Sequence, residues 1–410
     1  MTNIVILGAG YGGILTALGL SKKFGRSKEF LITLIDRHDY QLFASNLYEV
    51  ASAEEEMTTL SQLKHSIALP LEAIFTGRNV NLVKAEVLQI NPVSNSVFTG
   101  SKKYYYDYLV VAVGSTSDYF NIPGAEKFSL PLKSLNDAFF VRNKIEFAVQ
   151  MHRLDANKKN IRIVVAGGGF TGVEFAGELK GFLDILAWKN RYPREKIEVT
   201  IIEASSALIA GFSARLSRDV LDRLKALGVR VQFSSMIAKV DEHFVELASG
   251  EKMEYDVLVW TAGVKALSLP FTKQMETDKK GRLVTNEFLQ LNTYNNIFAL
   301  GDGACVANYD GKPAPPSAQD AIAQAEYLVN TLPYIIRNKR PPAYSGKKHG
   351  YIISIGGKWA ILDYNGFYFT GLPAYLVRQL ANLNYFRKVV GLWKAIKLTV
   401  FDMEIYSRND

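Results

Sequence analysis

The chain has 410 residues, enough to bury two hydrophobic cores and to carry an additional segment. Its composition, 48% hydrophobic and 21% charged, excludes a mainly disordered protein. The net charge of +8 arises in residues 331–410, which hold 12 Lys or Arg and four Asp or Glu, so residues 1–330 are neutral. We expect this basic C-terminal region to meet an anionic partner, although an ordinary solvated surface would have the same composition.

The sequence also disfavours three further classes. No apolar stretch reaches the ~18 residues of a membrane-spanning helix. No Lys or Arg precedes the apolar stretch Ile4–Leu20, so we expect a cytoplasmic strand here rather than a signal peptide. Cys305 is the only cysteine, which excludes a disulfide framework and a redox-active cysteine pair, and we expect it to be a packed small residue. We expect no bound metal.

The first part of the chain is predicted to form a strand, a glycine turn and a helix, followed by further strands. Alternating apolar residues with turn residues between them predict short antiparallel strands, and an apolar run that stops at Gly114 is typical of a buried parallel strand. The elements are a strand and helix over Asn3–Phe24, a strand Phe30–Ile35 ending at Asp36, antiparallel strands at Val80–Ile90, Ser96–Thr99 and Tyr104–Tyr106, and the parallel strand Tyr108–Val113.

The same pattern occurs a second time after a helix predicted over residues 134–152. This internal duplication predicts one α/β unit used twice, after which the chain returns to the first unit. The elements are a strand Ile161–Ala166, a helix from Gly172 to about Trp188, a strand Glu198–Ile202, a helix Leu216–Leu227 stopped by Gly228, a strand Asp256–Thr261, a strand Asn296–Leu300 and a helix Ser317–Leu332.

Each copy carries a glycine motif that follows a strand and opens a helix. Such glycines let the backbone turn tightly and approach a pyrophosphate, the helix N-terminus attracts its charge, and an acid ending the next strand accepts hydrogen bonds from a ribose. Incidental glycines are the alternative, but the strand, the spacing and the acid agree. The predicted nucleotide-binding residues are Gly8, Gly10, Tyr11, Gly12, Gly13 and Asp36 in the first copy, and Gly167, Gly169, Phe170, Thr171, Gly172 and Glu203 in the second.

Two such motifs in one chain predict two dinucleotides held near each other, and electron transfer between them. The carboxylate of Glu203 would repel a 2′-phosphate, which favours NADH over NADPH. Asp302 follows a strand and would bind a ribityl hydroxyl or the pyrophosphate of a flavin, unless it is only a turn residue. The helix that begins at Ala318-Gln319 would point its N–H groups at the end of the flavin that gains negative charge. Glu174 either compensates a helix dipole or faces the nicotinamide.

The C-terminal region shows amphipathic stripes at ~100° per residue. Leu376, Leu380 and Leu383 form one stripe, and Asn382–Asn384 is predicted to separate it from a second helix. A helix packed on the core would look similar, but basic residues opposite an aromatic-rich face favour in-plane attachment to anionic lipid. The second apolar face comprises Tyr385, Phe386, Val389, Leu392, Trp393, Ile396 and Val400, with Arg387, Lys388, Lys394 and Lys397 opposite or flanking it.

In this order, these residues resemble the two-dinucleotide-binding flavoproteins and, within them, the type II, non-proton-pumping NADH:quinone oxidoreductases. Two departures put the identity of the electron acceptor in question: Ala323 and Ala325 replace the second glutamine and the glycine of the family's quinone-side helix, with Gln324 between them, and Ser45-Asn46 replaces a proline and an apolar residue. The matching segments are Ile4–Gly13, Leu42–Ala51, Tyr108–Gly114, Val164–Glu178, Val259–Gly263, Ile297–Asp302 and Ala318-Gln319.

The resemblance implies an α/β fold of two Rossmann-like, glutathione-reductase-like domains, the second inserted in the first, with a C-terminal amphipathic membrane-binding segment. The implied boundaries are an FAD-binding domain over 1–118 and 265–335, an NADH-binding domain over 119–264 and a membrane-anchoring region over 336–410. The implied site residues are Glu174 and Gln319 as catalytic groups, Gly114, Gly263, Asp302, Ala318 and Gln319 as further cofactor contacts, and Gln319, Ile322, Ala323 and Arg378 on the quinone side.

The implied activity is respiratory electron transport: two electrons pass from NADH through tightly bound, non-covalent FAD to a membrane quinone, without proton pumping. The protein would lie as a peripheral membrane protein on the cytoplasmic face and contact anionic lipid; a homodimer is compatible with this, and no nucleic acid is expected. Rival hypotheses are a soluble NADH:ferredoxin-type reductase and a NAD(H)-sensing flavoprotein that binds a partner. The single cysteine disfavours a sulfide:quinone oxidoreductase.

Overall fold

The computed structural model describes residues 1–25, 27–53, 60–154 and 160–406. The helices are α1 Tyr11–Phe24, α2 Leu47–Ala51, α3 Leu60–Ile67, α4 Leu71–Phe75, α5 Ala125–Phe128, α6 Leu135–Leu154, α7 Phe170–Lys189, α8 Ala214–Ala226, α9 Ala318–Ile336, α10 Leu372–Val390 and α11 Leu392–Tyr406. The strands are β1 Thr2–Leu7, β2 Phe30–Asp36, β3 Tyr40–Leu42, β4 Ala68–Pro70, β5 Asn81–Lys84, β6 Gln89–Asn91, β7 Ser96–Phe98, β8 Lys103–Tyr105, β9 Tyr108–Val111, β10 Ser115–Ser117, β11 Leu130–Pro131, β12 Ile161–Ala166, β13 Ile197–Ile202, β14 Arg230–Gln232, β15 Ile237–Val240, β16 Phe244–Leu247, β17 Lys252–Glu254, β18 Val257–Trp260, β19 Val264–Ala266, β20 Leu283–Val284, β21 Gln290–Leu291, β22 Tyr294–Ala299, β23 Ala304–Cys305, β24 Tyr351–Ser354, β25 Ala360–Tyr364 and β26 Phe367–Gly371.

The first of two compact units comprises Met1–Leu42, Ala68–Thr116 and Val264–His349. Its main sheet has the strand order β21-β22-β9-β1-β2-β5, in which every pair is parallel except β21 with β22. The central strands are apolar on both faces, as a parallel sheet covered by helices requires. Helices α1 and α9 pack together so closely that a side chain at Gly19 would overlap Val329.

The second unit comprises Phe43–Ile67, Ser117–Gly263 and Gly350–Asp410. Its parallel sheet has the order β11-β18-β12-β13-β14, and β12 pairs with β13 over its full length. The antiparallel sheet β24-β25-β26 packs against α10 and buries a small cluster that includes Ala360 and Tyr375. The predicted fold class, two Rossmann-like α/β units with the second inserted in the first, is therefore confirmed.

The duplicated unit itself was predicted closely. Strand β12 has its predicted bounds, and α7, β13, α8 and β22 lie within two residues of theirs at most ends. The prediction for Val80–Ile90 was wrong. This segment contains two strands, and the first of them, β5, pairs parallel with β2 in the main sheet, while β6 begins the predicted antiparallel group.

The division of the C-terminal helices was also predicted wrongly. Helix α10 continues through Asn382–Asn384 and ends at Gly391, whose φ of 82° is open to glycine at little cost. The break between the two helices therefore lies at Gly391 rather than at Asn382–Asn384. Tyr385, Phe386 and Val389 are buried instead of sharing one exposed face with Trp393. Within the described ranges, no helix is both long and apolar enough to cross a bilayer.

Candidate active site

The two glycine turns have the same geometry, each within its own unit. The N–H of Gly8 donates to the carbonyl of Ile35 at 2.9 Å, and the N–H of Gly167 donates to the carbonyl of Ile202 at 2.8 Å. Gly8 has φ +98° and Gly167 has φ +103°, and a Cβ at either position would overlap the backbone of the neighbouring parallel strand's end, at Ala112 or Ala262. Only glycine adopts this φ readily and leaves room for the neighbouring backbone, so each turn lies close against the chain that follows the adjacent parallel strand.

The two predicted acids hold these turns in place. Asp36 accepts hydrogen bonds from the N–H of Ala9 at 2.7 Å and the N–H of His38 at 2.7 Å, one on each carboxylate oxygen. Glu203 repeats the arrangement: its Oε2 accepts from the N–H of Gly168 at 2.6 Å, and its Oε1 accepts from the N–H of Ser205 at 2.7 Å and from the Ser205 hydroxyl. A carboxylate oxygen has a second lone-pair direction, so both acids can still accept from a ribose hydroxyl.

The helix that follows each glycine turn has an uncapped, accessible N-terminus. Gly10 precedes α1 and Gly169 precedes α7, and among the described residues no side chain caps either helix or places an acid in its first turn. A Cβ at Gly10 or Gly169 would meet no atom of the described chain within 4 Å. The positive helix end and the open space beside it fit a pyrophosphate, so the residues present fit one dinucleotide in each unit.

The first unit adds a second turn to its site. The hydroxyl of Ser115, next to Gly114, donates to Oδ2 of Asp302 at 2.7 Å. The N–H of Gly301 donates to Oε1 of the buried Gln324 at 2.7 Å, which ties this turn to α9. Gln324, which the sequence analysis noted only as lying between two departures, therefore has a structural role in placing Asp302.

The remaining predicted residues lie near the starts of α9 and α7 or, in the case of Gly263, between β18 and β19. Ser317 caps α9 by accepting from the N–H of Asp320 at 3.0 Å, so α9 begins at Ala318 and its first turn exposes Gln319. Ile322 is half-buried and Ala323 is buried. In the second unit, Thr171 is exposed, and the Gly263 carbonyl accepts from the N–H of Asp118 at 3.0 Å. Phe170 packs edge-on against Phe212, with ring centroids 4.9 Å apart.

Glu174 lies two residues further from the start of its helix than expected. Because α7 begins at Phe170, Glu174 is its fifth residue rather than a member of the first turn, where dipole compensation acts. Its Oε1 accepts from the N–H of Ser354 at 3.4 Å, and burial raises the pKa of Glu174 to about 8 against the opposing effects of Arg378 and the Ser354 N–H. The dipole explanation is therefore weakened, and Glu174 is an acid that holds its proton near neutral pH.

Arg378, predicted on the quinone side, forms a buried acid cluster with Glu49 and acts electrostatically on the half-buried Glu174. Its Nη2 is 2.6 Å from Oε1 of Glu49 and donates to Oδ1 of Asn46 at 3.0 Å, and its guanidinium lies 5.6 Å from the centroid of the Tyr48 ring. The Tyr48 hydroxyl donates to the same Glu49 oxygen at 3.3 Å. The sequence analysis missed Glu49, although a charged residue inside the apolar helix Leu47–Ala51 was a signal that could have found it.

The comparisons with known proteins agree with this geometry. The sequence profile of the pyridine nucleotide-disulphide oxidoreductase family matches residues 2–325. Type II NADH:quinone oxidoreductase of Staphylococcus aureus (strain NCTC 8325 / PS 47) is 30% identical over 400 residues, which cover 96% of this chain and 97% of the relative.

This chain belongs to the type II NADH:quinone oxidoreductases.

Solved structures share the fold of this family member at lower sequence identity. NDH2 from Plasmodium falciparum in complex with NADH superposes with a TM-score of 0.86 at 19% identity and covers 99% of both chains. The sulfide:quinone oxidoreductase from the hyperthermophilic bacterium Aquifex aeolicus superposes with a TM-score of 0.77 at 20% identity, covering 98% of this chain and 95% of that one. Cys305 is the only cysteine here, so this chain has no pair of cysteines that could carry out the disulphide chemistry in the broader family's name.

Proposed function

We propose that this protein oxidises NADH and reduces a quinone by way of bound FAD. The balanced reaction is NADH, one proton and a quinone going to NAD⁺ and a quinol. When bound, FAD supplies the two-electron redox chemistry of its isoalloxazine ring. The observation that carries the proposal is the duplicated turn: two uncapped helix starts, each with an open glycine and a strand-ending acid, fit two dinucleotides in one chain.

Each unit's residues support one nucleotide. In the first unit, the Gly8–Gly13 turn, Asp36 and Asp302 would hold the pyrophosphate, ribose and ribityl groups of FAD. In the second unit, the Gly167–Gly172 turn and Glu203 would hold NADH. A 2′-phosphate on the bound ribose would lie near the Glu203 carboxylate, and two like charges at close range repel, so we expect NADH to be preferred to NADPH.

Two residues are proposed to serve the acceptor. The exposed amide of Gln319 at the start of α9 can donate a hydrogen bond to a quinone carbonyl. Glu174 holds a proton at neutral pH and can give it to an oxygen of the quinone as that oxygen gains electrons. The domain boundaries at residues 118, 264 and 335 and a homodimer remain predictions.

The decisive experiment mixes the purified, FAD-loaded protein anaerobically with NADH and then adds a short-chain quinone. We expect NADH to bleach the yellow flavin absorbance, the quinone to restore it within a turnover, and NADPH to act far more slowly. A NAD(H) sensor would be bleached once and stall, and a ferredoxin-type reductase would be reoxidised by ferredoxin but not by quinone. Flavin that stays yellow with NADH would contradict the proposal.

We also propose that α10 and α11 attach the protein to the membrane surface, on its cytoplasmic face. Both helices present large apolar side chains to solvent, and Lys394 and Lys397 are exposed on α11 beside them. Such a surface suits the boundary between acyl chains and anionic headgroups. The exposed apolar residues are Leu372, Leu376 and Leu380 on α10 and Leu392, Trp393, Ile396 and Val400 on α11.

A Leu380→Ser/Trp393→Ser double variant is expected to lose most of its binding to anionic liposomes. Removing two large apolar side chains from lipid costs roughly 3–6 kcal/mol, which is more than a hundredfold in the partition constant. Liposome co-sedimentation measures it. Trp188→Ser is the matched control, because Trp188 on α7 is 79% exposed and Trp393 is 80% exposed. Equal losses in both variants would mean that α10 and α11 are not the attachment surface.

A further inference from the structure

Arg378 and Glu49 form a buried ion pair whose effect reaches Glu174. We propose that Glu49 is a positioning residue for proton delivery: by neutralising Arg378, it keeps the carboxyl group of Glu174 protonated until the acceptor has been reduced. The inference rests on the proposed function, because it concerns the proton that the quinone takes up. Glu49 acts through Arg378 and Glu174 and does not itself donate to the substrate.

The guanidinium of Arg378 is bound by a single segment of the chain. Both of its close partners, Glu49 and Asn46, belong to Ala44–Ala51, and they lie 2.6 Å and 3.0 Å from the same nitrogen, Nη2. Arg378 is 8% exposed and Glu49 is 5% exposed, so water screens the pair very little. Asn46, an unusual residue at this position in the sequence analysis, orients the guanidinium toward Glu49.

Glu174 lies near this ion pair, because its helix α7 packs against α2, the helix of Glu49. Arg378 lowers the pKa of Glu174 and Glu49 raises it, while burial is the largest cause of the raised value. Removing the charge of Glu49 would therefore lower the pKa of Glu174, because the repulsion is lost while the attraction of Arg378 remains. A larger fraction of Glu174 would then be in the carboxylate form near neutral pH.

Other ionisable groups surround this cluster. Tyr48 on α2 has a pKa raised well above its usual range by burial, so it is neutral. Asp402 on α11 is 3% exposed, neither of its oxygens has a hydrogen-bond partner among the described residues, and burial, followed by Glu49, raises its pKa well above the usual value. Burial lowers the pKa of Arg223 on α8, and Glu178, on the same helix as Glu174, opposes that shift. Glu49, and not Asp402, is therefore the carboxylate that pairs with Arg378.

The test compares Glu49→Gln with the double variant Glu49→Gln/Arg378→Met. Glutamine keeps the shape and an acceptor oxygen but loses the charge. We expect Glu49→Gln to move the alkaline limb of quinone-dependent turnover to lower pH by about 1 unit. The double variant removes both charges and should return the limb to the parent position or above it. Reduction of the flavin by NADH, which takes no proton from Glu174, is the internal reference.

A second readout does not depend on turnover. Infrared spectra of the resting, FAD-loaded protein follow the protonated carboxyl band of Glu174, assigned by its loss in Glu174→Gln, from neutral to alkaline pH. We expect this band to vanish at lower pH in Glu49→Gln than in the parent and to be restored in the double variant. Glu146→Gln is the matched control, since Glu146 pairs with buried Arg142 at 3.6 Å in the same unit, and it should leave the band unchanged.

Two outcomes would overturn the inference. One is an unchanged infrared titration of Glu174 in Glu49→Gln. The other is a double variant shifted as far as the single variant, which would show that Arg378 does not carry the effect. If the parent protein failed to reduce any quinone, the proposed function would fail, yet the infrared titration would still decide whether Glu49 sets the protonation of Glu174.

Discussion

A Gly10→Ala variant is expected to fold as the parent does and to be purified with little or no FAD. The added methyl group meets no atom of the described chain within 4 Å, and the φ of −79° at Gly10 suits any residue. We therefore expect the folded structure of the FAD-free protein to be unchanged. The same methyl group would stand in the space where the pyrophosphate must approach the backbone. An overpacked contact costs about 1–3 kcal/mol, which is roughly 5- to 150-fold in the dissociation constant.

Gly169→Ala is its counterpart in the second unit and its control. Gly169 has the same open surroundings and precedes α7 as Gly10 precedes α1. We expect this variant to keep its FAD and its yellow colour but to need a similarly larger concentration of NADH for half-maximal flavin reduction. The measurements are the flavin-to-protein absorbance ratio, thermal unfolding of the FAD-free proteins, and the NADH dependence of flavin bleaching. Full FAD content in Gly10→Ala would mean that the pyrophosphate does not lie against this turn.

The second large effect is expected for Glu174→Gln, which removes the proton held beside the buried acid cluster. Loss of a general acid lowers turnover by roughly 10²-fold or more. Since the pKa of Glu174 is raised to about 8, the parent should turn over fastest below that pH, where the acid carries its proton. Above pH 8, its rate should fall about tenfold per pH unit as the carboxylate form takes over.

The pH profile separates chemistry from structure in this prediction. Glutamine has no proton to lose in this range, so the Glu174→Gln profile should be low and flat where the parent's is sloped. The quinone-dependent rate is measured at saturating NADH over a series of buffers, and the rate of flavin reduction by NADH is followed in parallel. A variant that keeps the parent's alkaline limb would show that another group controls proton delivery.

Much of the nucleotide-binding architecture could be predicted from the sequence, because it depends on residues close together in the chain. A strand, a glycine turn, a helix and an acid ending the next strand determine one another locally, and the structure contains the same hydrogen bonds around Asp36 and Glu203. Because the pattern occurs twice in the sequence, each copy supported the prediction made for the other.

The buried acid cluster could not be predicted in this way. Glu49 and Arg378 are separated by more than 300 positions, and no local pattern pairs them. Asp402 lies on the buried face of α11, whereas the sequence pattern indicated only the apolar and basic faces of this segment. The division of the C-terminal helices failed for a related reason: asparagines are weak helix formers, but the packing of Tyr385 and Phe386 into the second unit overrides that preference.

Asp402 has a thermodynamic consequence for the last helix. A carboxylic acid whose native pKa is raised by burial binds a proton more tightly when folded than when unfolded, so its contribution to folding is lost as the pH rises from the ordinary value for Asp toward the raised native value. A rise in pH over this range should therefore weaken the packing of α11. The segment proposed to rest on lipid would then be held to the protein by a contact that responds to the proton concentration at the membrane surface.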